Sequence, residues 1–286
     1  MGSWVLQQSD CLEFLRKQAE NSVDFVFTSP PYNEKGERYD GNRKKWKIED
    51  WVPWLTEVIK ESCRVSRGYV MVVVNGRQHQ FRYDWSPELL GISVAQNCPE
   101  IYSRRPIIWQ SNKCPAVDRS YPRNAYEKIL SFSTERKPYF DWQAIGTEKK
   151  YDNGGDFRQR NSRGERVEGG VYPVHKLAHP QDVQYVKVGG GHMAEWSSDE
   201  KFASQGEAPF PVTLAKHWIS ACCPPHGEVL DPFTGSGSTA VAALSSGRSF
   251  VGCELGSEQF ELAASRIQSA DEYLKKACNN SERVTS

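Results

Sequence analysis

The sequence predicts a doubly wound α/β fold, a mostly parallel sheet with crossover helices and one inserted region, on three observations. Short apolar runs alternate with amphipathic segments; a Gly-rich turn separates a strand-like run from a helix-like one; and a polar stretch, 141–206, has little periodicity beyond a short "VQYVKV". Strands are expected at 23–27, 69–74, 107–109, 128–132 and 250–253, where runs such as "YVMVVV" are apolar throughout. Helices are expected at 51–65, 211–221, 238–244 and 258–274, the last with Phe260, Leu262, Ala263 and Ile267 at helical spacing. Residues 1–140 and 207–276 then form the core. The stretch 141–206 is rich in Gly, Arg, Asn and Asp and too long for a connector, so it reads as a functional insertion or small subdomain. The end, 277–286, reads as a disordered tail.

Composition bounds the function. The chain has 286 residues, enough to bury a sizeable core, and 36 basic residues balance 36 acidic ones. No global field announces nucleic acid, so such a partner must be met by a local basic patch. Eight cysteines show no CxxC or Cys/His metal spacing, and the six histidines no zinc-deaminase pattern. With no signal peptide and no apolar run of about 18 residues, the expectation is a cytoplasmic protein with free thiols, no metal and no membrane.

Two stretches carry chemistry. In "DFVFTSPPYNEKGERYDG" (24–41) an apolar strand delivers a rigid Ser-Pro-Pro-Tyr tetrapeptide into a charged loop. In "GEVLDPFTGSGSTAVAALSSGRSFVGCEL" (227–255) a strand ending at Leu230 enters a Gly-rich turn, a helix opens near Ser238, and a second strand closes on Glu254. Small residues let backbone approach a ligand at a helix N-terminus, and an acid ending the next strand is placed to accept from ribose hydroxyls. That pattern reads as a nucleoside-cofactor site. A Walker loop is excluded by the missing Gly-Lys-Ser/Thr. Gly235, Gly237 and Ala240 satisfy the loose dinucleotide pattern, which fits a nicotinamide-dependent oxidoreductase, but that alternative leaves the tetrapeptide unexplained.

Together the two stretches resemble a known family. "TSPPY" resembles the catalytic motif of DNA methyltransferases acting on exocyclic amines, and "DPFTGSGST" their S-adenosylmethionine motif. Their order, catalytic motif first, resembles the circularly permuted β-class arrangement. "SDCLEFL", "GYVMVVVNG", "EKILSFS" and "FPVTLAKHWI" extend the likeness over most of the chain except 141–206, where such enzymes carry target recognition. The resemblance implies an S-adenosylmethionine-dependent methyltransferase fold acting on a flipped base in double-stranded DNA. It leaves room for a restriction-modification role with a cognate restriction endonuclease. Serine at the first position resembles enzymes methylating cytosine N4, whereas Asp or Asn is usual for adenine N6, the alternative.

The same resemblance assigns residues. Ser29 Oγ and the Pro30 carbonyl would accept from the amine, Pro30 and Pro31 would fix the backbone and remove competing donors, and Tyr32 would stack on the base. Asp231, Phe233, Gly235 and Gly237 would line the methionine and sugar of the cofactor, and Ser238 and Thr239, where the helix opens, would bind the cofactor with them. Glu254 would hold the ribose, Asp10 and Leu255 would lie near the adenine, and Phe210 with Pro211 would cover the methionine end. Asp10 has a plainer reading as a helix N-cap, and Phe210 as a core residue. For DNA, the residues themselves suggest Lys35, Arg38, Arg43, Lys44, Lys45 and Lys47 among aromatics, and Arg158, Arg160, Arg163 and Arg166 in a second polar loop. Cys222 and Cys223 read as structural, and His217 as part of a packed helix.

Overall fold

The computed structural model describes residues 2–32, 37–39, 42–44, 47–76, 78–79, 82–111, 125–148, 159–160, 165–167, 176–186 and 210–284. Among them a nine-stranded sheet forms the centre. Its strands are β1 (Trp4–Gln8), β2 (Phe25–Thr28), β3 (Val70–Val74), β4 (Tyr102–Ser103), β5 (Ile107–Gln110), β6 (Tyr126–Ser133), β7 (Val183–Tyr185), β8 (Glu228–Asp231) and β9 (Ser249–Glu254). They lie in the order β1-β9-β8-β2-β3-β6-β5-β7, with β4 also paired to β6. The run from β1 to β3 is parallel throughout, and β6 is antiparallel to both β3 and β5. Every residue of β2 and β3 is buried, as a parallel strand covered on both faces requires, which is why these runs are apolar without alternation.

Helices cover both faces. α1 (Cys11–Lys17), α2 (Ile48–Val65) and α3 (Ser86–Asn97) pack together on one, and α4 (Val212–Cys222), α5 (Ser238–Ser245) and α6 (Ser257–Val284) on the other. α2 buries Trp51, Leu55, Ile59 and Cys63 among others, a stripe at three- and four-residue spacing against Val70 and Val72. On the second face Leu214, Ala215 and Trp218 meet Ala240, Val241 and Ile267 over Phe25 and Phe27.

Several expected boundaries move. The last helix does not end at 274: α6 continues to Val284, so most of the segment read as a disordered tail is helical. Within the segment read as an insertion, 141–148 and 176–186 are tied to the core. Asp141 N donates to Ala221 O (2.8 Å), Ile145 is buried against α4, and β7 pairs in parallel with β5. The Trp109 indole fixes this edge by donating to Val186 O at 3.0 Å.

Candidate active site

The connections set where a ligand can enter. After β2 the chain turns through α2 to β3, and after β8 it turns the opposite way through α5 to β9. β2 and β8 are neighbours, paired Phe25 to Val229 and Val26 to Leu230. A crevice therefore opens beyond their carboxyl ends, the topological switch point where ligands of open α/β sheets bind. The tetrapeptide leaves one side of it, and the Gly-rich turn leaves the other.

Asp231 joins the two. Its carboxylate accepts from Thr28 Oγ1 at 2.5 Å, Thr239 Oγ1 at 2.6 Å and Phe233 N at 3.0 Å. It is 1 % exposed, and desolvation pushes its pKa up to about 6 despite these donors. The end of β8, the residue before Ser29 and the first turn of α5 are thus held by one side chain. The turn that follows needs glycine. Gly235 and Gly237 have φ of +51° and +82°, and a Cβ on Gly237 would come within 3.2 Å of Ile267 on α6. Beside Gly235 a Cβ would meet only Phe233 O at 3.8 Å, so the turn faces open space there.

Glu254, 4 % exposed, closes the turn from β9. Its carboxylate accepts from Gly235 N at 2.8 Å, Leu255 N at 3.0 Å and Gly256 N at 3.1 Å. Leu255 itself is half exposed at this edge. Ser238 and Thr239, expected among the cofactor-binding residues, are instead buried with their hydroxyls engaged inside the protein: Thr239 toward Asp231, and Ser238 toward Ser236 and Arg266. Asp10 is the N-cap of α1, accepting from Leu12 N at 2.9 Å and Glu13 N at 3.1 Å, one residue beyond Ser9, whose N–H bonds Glu254 O. Phe210 is a core residue, edge-on to Phe27 at 5.1 Å, and Pro211 caps α4 beside it. The plainer readings of Asp10 and Phe210 therefore hold in this structure; Phe210 also borders β2, and Asp10 lies beside the end of β9.

In the tetrapeptide, Pro30 and Pro31 are buried and Ser29 and Tyr32 partly so. Ser29 Oγ–H lies 3.4 Å from both Tyr32 Oη and Val73 O, and Tyr32 Oη–H donates to Glu127 Oε2 at 2.9 Å. The Pro31 carbonyl accepts from the Trp51 indole at 2.8 Å. No donor reaches the Pro30 carbonyl among the described residues. Sequence reasoning missed four contributors. Trp51 anchors Pro31, and Trp54 sets its ring 5.6 Å from Phe233. Glu127 reaches Tyr32. Gly252 of β9 lets the turn pass, since a Cβ there would lie 2.5 Å from Thr234 Oγ1 and 2.8 Å from Asp231 O. The aromatic pair of α2 and the "YE" opening β6 were visible signals.

For the basic clusters, Arg38 pairs in backbone register with Arg43 in a two-stranded sheet of Glu37–Tyr39 and Asn42–Lys44, and Arg160 with Arg166 in a second of Gln159–Arg160 and Arg166–Val167. Lys47 is exposed at the start of α2. Lys35, Lys45, Arg158 and Arg163 lie outside the described residues. Cys222 and Cys223 are buried, their thiols pushed up, Cys223 to about 12, which suits structural residues. Burial also lowers the pKa of His217, which packs edge-on against Trp218.

Comparison with known proteins decides the family. The family model described as DNA methylase, of N6 and N4 enzymes, matches residues 23–265. The chain belongs to this family. It is 28% identical to the DNA adenine methyltransferase YhdJ of Escherichia coli (strain K12), over 92% of this chain and 82% of that protein. Its fold is similar to that of the cytosine-N4-specific PvuII DNA methyltransferase, with a TM-score of 0.69, 18% identity, and coverage of 93% of this chain and 87% of the other. It is also similar to TTHA0409 of Thermus thermophilus, solved with S-adenosyl-L-methionine, with a TM-score of 0.57, 23% identity, and 94% of each chain covered. As a DNA methylase the chain is a transferase, and the oxidoreductase alternative falls. Among the described residues no helix is long and apolar enough to cross a membrane, and no cluster of acidic, His or Cys side chains has metal-holding geometry.

Proposed function

We propose that this DNA methyltransferase transfers a methyl group from S-adenosylmethionine to the exocyclic N4 amine of a cytosine flipped out of duplex DNA. The observation that carries the reading is the bond from Thr28 to Asp231, which sets the tetrapeptide and the Gly-rich turn on the two walls of one crevice. The turn fits the cofactor: open space beside Gly235 admits backbone approach, and Glu254 is a charged acceptor at the end of the neighbouring strand. Glu254 would hold the ribose, Leu255 and the Asp10 corner would border the adenine, and Phe233 the sugar. Asp231, Ser238 and Thr239 would shape the turn from behind. When bound, the cofactor supplies an electrophilic methyl on a sulfonium.

The chain's own part is to make a poor nucleophile better. The lone pair of an exocyclic amine is delocalised into its ring, and acceptors aimed at its hydrogens favour a more tetrahedral nitrogen. The Pro30 carbonyl is one such acceptor, held by two fixed φ angles and by the Trp51 anchor on Pro31. Ser29 is the other, since its proton is directed toward Val73 O and Tyr32 Oη and its lone pairs are left for the amine. Tyr32 supplies the stacking ring. The basic residues of the two small sheets, with Lys47, would grip phosphate, and 141–206 would read the sequence. Serine at position 29 and the likeness to the cytosine-N4-specific PvuII structure favour cytosine, while YhdJ, named as an adenine enzyme, supports adenine N6 as the second reading.

Tritiated methyl transfer to duplex DNA, followed by nucleoside analysis, tests this. N4-methylcytosine is the expected product, and N6-methyladenine rejects the cytosine assignment while sparing the mechanism. Ser29→Ala should lower transfer by roughly 100-fold, the scale of losing one positioned polar group in a transition state, with cofactor affinity nearly unchanged. Full activity in Ser29→Ala rejects the mechanism.

A further inference from the structure

The antiparallel strand β6 brings its N-terminal end to the same sheet edge where the parallel strands end. Lys128 pairs with Val74, the last residue of β3, so Glu127 stands beyond it, beside the tetrapeptide. There its Oε2 receives the Tyr32 hydroxyl at 2.9 Å, and the Ser29 hydroxyl points to the same Tyr32 oxygen at 3.4 Å. The single Ser29 proton has two acceptors at 3.4 Å, Tyr32 Oη and Val73 O, and the Tyr32 proton goes to a carboxylate, so a path from Ser29 through Tyr32 to Glu127 is laid out. A stacking ring alone does not explain this, because stacking uses the face of the tyrosine and leaves its hydroxyl without a task.

Methylation of an amine creates a disposal problem. As the N–C bond forms and the S–C bond breaks, the nitrogen becomes cationic and must lose one of its two hydrogens. The Pro30 carbonyl accepts a hydrogen bond but has no proton of its own to pass on. Ser29 does. Resting on the proposed amine methylation, we infer that Ser29, Tyr32 and Glu127 form a proton relay with Glu127 as its end. The amine proton moves to Ser29 Oγ, the Ser29 proton moves to Tyr32 Oη, and the Tyr32 proton moves to the Glu127 carboxylate. Charge balances: the nitrogen returns to neutral, the carboxylate becomes a carboxylic acid, and both hydroxyls end as they began. The 3.4 Å step shortens when substrate presses on Ser29, as catalytic hydrogen bonds commonly do on loading. Glu127 touches no reacting atom, so it acts through Tyr32.

The test compares Glu127→Gln and Tyr32→Phe with the unmodified enzyme in single-turnover methyl transfer, in water and in deuterium oxide. Gln keeps an acceptor for the Tyr32 hydroxyl but takes no proton, so a role confined to holding the ring survives the change and a relay does not. The expected result is a roughly 100-fold lower transfer rate in each variant, the scale of one proton transfer by a positioned group. DNA affinity by anisotropy and S-adenosylmethionine affinity by calorimetry should stay within about threefold, under half of a 1.4 kcal/mol tenfold step. The double variant should be no slower than either single one, because members of one relay act as a unit. The solvent isotope effect of the unmodified enzyme should vanish in Glu127→Gln. A wild-type rate in Glu127→Gln overturns the relay, and so does a loss of DNA or cofactor affinity that matches the loss of rate. Unmodified protein that binds both ligands yet methylates no base overturns the underlying reading instead.

Discussion

Asp231 accepts three hydrogen bonds and still holds its proton to about pH 6, because burial penalises its charge more than the donors reward it. The unfolded carboxyl ionises near its ordinary value of 3.8, so between about pH 4 and 6 the folded state binds more protons. Stability from this group is therefore complete below pH 4 and falls as pH rises through 6, by roughly 3 kcal/mol at about 1.4 kcal/mol per pH unit. Asp231→Asn removes the charge and keeps the geometry: its oxygen serves Thr28 and Phe233, and its amide donates to Thr239, which turns its own proton to Phe27 O, now 3.4 Å away. The variant should be more stable than the parent at pH 8 and lose this fall between pH 4 and 6. Thermal melts across pH 4–8 check it, and an Asn variant that melts lower than the parent at every pH sinks the account. Position 231 was legible from its strand-to-turn context. Its bond to Thr28 was not, since the partners are 203 residues apart in the chain.

Among the elements, α2 has a function its amphipathic pattern does not announce: Trp51 anchors the tetrapeptide through the Pro31 carbonyl. Trp51→Phe keeps most of the buried ring but leaves that carbonyl without its donor, at a cost of about 1–3 kcal/mol. Urea unfolding should show the loss, and methyl transfer should fall while S-adenosylmethionine affinity holds. An unchanged urea midpoint refutes the anchoring role. Elements buried on both sides were readable because burial writes a continuous apolar run, as in β2 and β3. Several with an open side were not. β1 is an edge strand with Val5 half exposed, α3 turns only Leu90, Val94 and a few small residues inward, and β7 has three residues in a polar stretch. α6 passes its expected end because its last turns are polar, and polar residues do not break a helix as Gly and Pro do. The Gly-rich turn was read correctly from the strand, turn, helix and terminal Glu in register. The Ser29 and Tyr32 partners escaped notice because Val73 and Glu127 come from other strands.

Across the whole molecule, the crevice exists only when the two ends of the chain have met. β1 pairs with β9 from Trp4–Phe250 to Gln8–Glu254, and β2 pairs with β8, so both walls depend on contacts spanning more than two hundred residues. A ligand bound there is linked to global folding rather than to one loop. At about 100 times its dissociation constant S-adenosylmethionine should add roughly 2.7 kcal/mol to stability. For a chain of this size that is a rise in thermal midpoint of about 5 °C. NAD at the same concentration should give none, because the turn and Glu254 are proposed to select a nucleoside carrying an amino-acid tail. Glu254→Ala withdraws the acceptor shared by Gly235, Leu255 and Gly256, so at equal cofactor concentration the rise should shrink or disappear. Differential scanning fluorimetry of both proteins with each ligand reads this directly. An equal rise with NAD, or a full rise in Glu254→Ala, removes the cofactor from this crevice.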